Sequence, residues 1–116
     1  MAASPPPLTV LYTRSARRVL GDIWDWSAEE YGAVHATGYV RFLETRIDGL
    51  SIAHSDGKPM KKRPHLRQLV LRRSRNPKAH AHVAVYSGNE SEGTVTVLHV
   101  FHTRQDIESR IERENL

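Results

Sequence analysis

Between Ala36 and Leu50 the apolar residues Ala36, Val40, Leu43, Ile47 and Leu50 recur at intervals of four, three, four and three. That is the repeat of one face of an α-helix, and no β-strand reproduces it. Arg41, Glu44, Arg46 and Asp48 fall off the line, as a helix lying on a core requires. An earlier run starting at Ser15 places Ala16, Leu20, Ile23, Ser27 and Tyr31 on one face, with Val19 and Trp24 widening the stripe. Gly32 stands between the two runs and can take the left-handed conformation that ends a helix. Two amphipathic helices joined at one glycine make an antiparallel hairpin, whose apolar face must be buried against another layer.

The rest of the chain supplies that layer. Leu8 to Thr13 is short, β-branched and aromatic, and predicts a strand. Leu66 to Arg73 predicts another, its alternation blurred by long basic side chains. After an Asn76-Pro77 turn, Ala79 to Ser87 sets Ala81, Val83 and Val85 on one face and His80, His82, Ala84 and Tyr86 on the other. Following a turn at Gly88 to Gly93, Thr94 to Phe101 is the most apolar strand and is expected inside the sheet, covered on both faces. Thr103 with Asp106 resembles a capping box, so Gln105 to Asn115 predicts a polar final helix on an Ile107 and Ile111 spine. The expected fold is α+β, in the order β-α-α-β-β-β with an optional last helix. An antiparallel sheet carries the helical hairpin on one face.

Composition narrows the class. At 116 residues the chain has the length of one domain, expected over residues 8–116. Residues 1–7, with prolines 5 to 7, are expected to be a disordered arm, lacking the basic and apolar regions of a secretory signal. There is no cysteine, which excludes disulfides and Cys-ligated zinc and fits a cytoplasmic protein. No apolar run approaches the ~20 residues that cross a bilayer.

The net charge is +4, and its placement says more than its size. From Gly57 to Asn89 no side chain is acidic, whereas Lys58, Lys61, Lys62, Arg63, Arg67, Arg72, Arg73, Arg75 and Lys78 are cationic. Four of these (Lys58, Lys61, Lys62 and Arg63) sit in the Gly/Pro loop Ser55 to Pro64. Such a window attracts an anionic partner, although charge runs also serve only to keep a surface hydrated.

Three smaller constellations bear on chemistry. His102 ends the apolar strand and Tyr86 ends the one expected beside it. With Arg67, Arg72 and Arg73 they supply the proton-transfer and charge-stabilising groups of metal-independent RNA cleavage. The plainer reading is that His102 and Arg104 hydrogen-bond the sheet edge. His80, His82, His99 and His102 lack nearby carboxylates, and His99 and His102 point to opposite faces, so neither a metal site nor a cofactor is expected. Trp24 and Trp26 cannot share a helix face; Trp26 is a candidate partner contact or a boundary core residue.

The strand end Thr96-Val-Leu-His-Val-Phe-His102-Thr-Arg104-Gln-Asp106 resembles the ending of ParE-type toxins of the RelE/ParE superfamily. Similar to the same proteins are the first helix, Arg18 to Glu30, the second with Tyr39-Val-Arg-Phe-Leu43 and Ile47, and Gly57-Lys58 followed by Leu66-Arg67. The resemblance spans about Leu8 to Ile107. It implies the toxin of a type II toxin–antitoxin pair, forming a hetero-oligomer with a ParD-like ribbon-helix-helix antitoxin. It also implies inhibition of DNA gyrase, with no enzymatic activity. His102 and Arg104 are then candidates for the toxic face, and Arg67, Arg72, Arg73 and Trp26 for the antitoxin interface. The basic loop and Tyr86 also map loosely onto RelE-type nucleases. In that alternative the target is mRNA on the ribosome, and His102, Tyr86 and Arg67 are the catalytic groups.

Overall fold

The computed structural model describes residues 6–75 and 81–116. The Asn76-Pro77 turn, Lys78, His80 and the first five residues of the arm lie outside them. Strand β1 (Thr9–Tyr12) leads directly into helix α1 (Arg14–Tyr31). The Thr13 hydroxyl forms the joint: it accepts the Ala16 N–H at 3.1 Å and donates to the Leu98 carbonyl at 2.7 Å. A threonine at this cap satisfies one orphan amide of the first turn, and starts the helix one residue before the expected Ser15. Gly32, at φ 91°, ends α1 and opens α2 (Ala33–Asp48), a conformation that favours glycine. A one-turn helix, α3 (Leu50–Ala53), follows.

The sheet is completed by β2 (Lys58–Pro59), β3 (Arg67–Leu71), β4 (His82–Asn89) and β5 (Thr94–His102), in the order β1-β5-β4-β3-β2. Strands β3 to β5 pair antiparallel as expected, and β2 adds antiparallel to β3. Strand β1 adds to β5 in parallel, because the whole helical hairpin and three strands intervene in the chain, and the sheet is therefore mixed. The two-residue β2 carries no apolar pattern, which is why it read as loop.

Two apolar layers sandwich the sheet. On one face Ala16, Leu20 and Ile23 of α1 and Val40, Leu43 and Ile47 of α2 pack on Leu71, Ala84, Tyr86, Val95, Val97 and Val100. On the other, Met60, Leu66, Val85, Leu98 and Phe101 are covered by Ile107 and Ile111 of the final helix α4 (Ile107–Glu114) and by Leu116. Strand β4 is thus the sheet's centre and is buried on both sides. The capping box expected at Thr103 is displaced. Asp106 is the cap, its carboxylate accepting from the Ser109 N–H at 3.3 Å and hydroxyl at 2.9 Å. Thr103 lies in the preceding turn, where Gln105 Oε1 accepts the His102 N–H at 2.8 Å.

One irregularity sets the faces of β5. Val85 pairs with His99 but Tyr86 pairs with Val97, so Leu98 is the extra residue of a β-bulge. Before it the odd residues Val95 and Val97 face the helices; beyond it the even residue Val100 does. His102 follows Val100 onto the helix side, while His99 and Phe101 turn to the α4 side, their rings 4.3 Å apart.

Candidate functional site

Where the helical hairpin overhangs the end of the sheet, a groove of about 360 Å³ opens. Val19, Ile23, Trp26, Ser27 and Tyr31 of α1 form one wall, and His35 and Tyr39 of α2 the other. The floor is His82 and His102, Cα partners across β4 and β5 whose rings meet edge to face at 5.3 Å. Trp26 and Tyr31 pack edge to face at 6.0 Å along the rim, and Tyr31 lies 4.9 Å from the His35 ring. Tyr31 reads from the sequence as the last residue of the buried stripe. It is instead 55% exposed, and Trp26 is 45% exposed, because α1 outruns the sheet here. Large aromatic rings held at the edge of an apolar groove are the composition of a recognition surface.

The polar groups of the floor are already engaged. The Tyr39 hydroxyl and His82 Nδ1 are 2.6 Å apart. Burial pushes the Tyr39 phenol up to about 12, with Arg73 and Arg72 pulling the other way, so it is a weak acid near neutral pH. His102 Nδ1 accepts the Arg104 N–H at 3.1 Å, which puts the proton of the neutral ring on Nε2. Arg73 lies along α2, its guanidinium nitrogens 3.6 and 3.7 Å from the position a Cβ on Gly38 would take. The cations Arg72, Arg73 and Arg104 are exposed. No three His, Asp or Glu side chains among the described residues are placed to hold a metal ion.

The structure separates His102 from the other two nuclease candidates, Tyr86 and Arg67. His102 pairs with His82, and Tyr86 lies four residues further along β4, about 13 Å at ~3.3 Å per residue. Tyr86 does not end its strand. It is fully buried mid-strand, accepting the Gly57 N–H at 2.9 Å and donating to the His54 carbonyl at 2.6 Å. Arg67 pairs with Tyr86 across β3 and β4, and its Nη1 donates to the carbonyls of Gly57 at 2.6 Å and Ser55 at 3.1 Å. Both side chains hold the loop that enters β2. A Cβ on Gly57 would stand 2.8 Å from Tyr86 Cε1, so only glycine lets this loop close on the ring.

Tyr31, His35 and Tyr39 belong to the site and were not singled out from the sequence. The available signal was the cluster of rings on either side of Gly32, at the tip of the hairpin.

The family model for the ParE toxin of type II toxin–antitoxin systems (parDE) matches residues 10–107. No curated protein matches the chain. Among solved structures, a chain of the chromosomal ParDE TA system from P. aeruginosa superposes with a TM-score of 0.67 at 19% identity, covering 82% of this chain and 95% of that one. At that identity the likeness bears on the fold, whereas the family match runs from β1 to the first turn of α4. By that match the chain belongs to the ParE toxin family of type II toxin–antitoxin systems.

Proposed function

We propose that this chain acts in the cytoplasm as an inhibitor of DNA gyrase and is neutralised by a ribbon-helix-helix antitoxin. The antitoxin's C-terminal tail would fold into the aromatic groove. The observation that carries the docking assignment is the groove itself, with half-exposed Trp26 and Tyr31 on the rim and exposed Arg72 and Arg73 just past the end of β3. An amphipathic segment with an apolar face and acidic flanks matches both features, and aromatic anchors of this kind dominate binding energy. The gyrase assignment draws on the ParE family match. It is supported against the nuclease alternative by the internal hydrogen bonds of Tyr86 and Arg67 and by their separation from His102. In this reading His102 on the groove floor and exposed Arg104, two residues further on, are the toxic-face residues.

The test is induction of the chain alone in bacteria, with gyrase supercoiling assayed in its presence and cuts in ribosomal mRNA mapped in parallel. Loss of supercoiling without mRNA cuts is the expected result. Codon-phased cuts with untouched supercoiling would replace this reading with the nuclease one. Healthy growth on verified folded protein would remove both.

A further inference from the structure

The strongest feature outside the groove is the hairpin that joins β2 to β3. Its side chains divide sharply. Met60 and Leu66 are buried under α4 and pin the hairpin to the sheet. The backbone closes on itself through Met60 N–H to Leu66 O and Leu66 N–H to Arg63 O, both 2.9 Å. Its base is fastened to Tyr86 and Arg67. Pro59 and Pro64 stiffen it further. What remains on the outside is Lys58, Lys61, Lys62 and His65, all exposed, with Arg63 half-buried. Among the described residues the only ion pair is His54 with Glu90, so none of these cations is neutralised by a paired carboxylate. Asp106 on the α4 cap is near enough to feel Lys62 without pairing to it.

We propose that this hairpin is a phosphate-contacting surface through which the chain binds duplex DNA directly. A docked peptide needs apolar anchors, and both apolar residues of the hairpin face inward. A phosphate backbone needs only charge and reach, and four cations fixed on a stiff loop provide both. The hairpin carries no Phe, Tyr or Trp on which unpaired bases could stack, which favours a duplex over a single strand. Groove and hairpin are thus chemically different surfaces, one for a folding protein segment and one for a polyanion. The inference goes beyond the gyrase reading and stands without it.

The experiment is fluorescence anisotropy of the purified full chain with a labelled duplex of about 20 base pairs, titrated at several salt concentrations. Four phosphate contacts predict a log–log salt slope of about −3.6. The double variant K61A/K62A should halve that slope and weaken binding roughly 50-fold near 0.1 M salt. The variant R18A/R41A removes the same charge from exposed positions on α1 and α2 and should leave the slope near the parent value. No saturable binding at low salt, or equal losses in the two variants, would overturn the proposal. So would an acidic peptide or single-stranded RNA that displaces the duplex at equal charge. Thermal midpoints of both variants check that each is folded. Supercoiling assays on the same samples keep the two readings apart. DNA binding with unaffected gyrase sinks the gyrase assignment alone, and gyrase inhibition without DNA binding sinks this one alone.

Discussion

Replacing Tyr86 by Phe removes one oxygen and leaves the ring in its place. The hydroxyl serves two backbone groups, the Gly57 N–H and the His54 carbonyl. Gly57 is buried, so its amide would stay unpaired, at about 1–3 kcal/mol for an unsatisfied buried donor. His54 is half-buried and its carbonyl can recover part of its hydration, so its share is nearer 1 kcal/mol. The expected loss is therefore about 2–4 kcal/mol, on the order of 10 °C in melting midpoint for a domain of this size. The Arg67 bonds to Ser55 and Gly57 remain, so the variant should still fold. Urea denaturation followed by tryptophan fluorescence should show a lower midpoint with an unchanged slope, and growth inhibition per folded molecule should equal that of the parent. Unchanged stability together with lost toxicity would refute this, because the hydroxyl would then be acting in chemistry and not in the loop.

Other substitutions separate the groove from the scaffold. Trp26→Ala should change stability by less than about 1 kcal/mol, since the ring is already half exposed, yet weaken antitoxin binding at least tenfold by calorimetry. Equal affinity would remove the groove from the interface. Ile111→Ala deletes the one fully buried side chain of α4 and should speed amide exchange throughout that helix at least tenfold while β4 and β5 keep their protection. Uniform loss across the sheet would show that α4 does not open separately. Burial lowers the pKa of His99 below its ordinary 6.5, with Glu114 raising it and Arg110 lowering it further, so the folded state binds the proton less readily than the unfolded chain. The contribution is complete above pH 6.5 and declines as pH falls from there through the lower folded value. His99→Leu should flatten that part of the pH–stability curve, and parallel curves for variant and parent would argue against it.

Periodicity was enough to place α1, α2 and β5, because each carries an apolar repeat longer than any turn could mimic. It could not place β2, whose two residues are held by Gln68 and Arg67 across the sheet and have no pattern of their own. The site was half legible. Trp26, His102 and Arg104 stood out by type and position, but Tyr31 and Tyr39 lie on helix faces where an aromatic residue reads as core. Tyr86 and Arg67 looked chemical because a tyrosine beside an arginine on neighbouring strands can be either catalyst or latch. Only Gly57, 29 residues away from Tyr86, decides between them. Local spacing carries no information about a contact of that kind.

The bulge at Leu98 gives the chain a sensitivity that its composition conceals. A strand keeps count of its residues in twos, and here the count is broken once, between the part of β5 that lies on β1 and the part that floors the groove. Deleting Leu98 would restore strict alternation and leave Val100 and His102 on the helix side. Straightening the strand with no residue removed would instead exchange the sides of everything beyond Leu98, carrying His102 away from Tyr39 and bringing Phe101 beneath the helical hairpin. A slip of one residue in register would thus rebuild the partner-facing surface without changing the sequence or the net charge. The Thr13 hydroxyl that holds the Leu98 carbonyl guards that count from the other end of the chain.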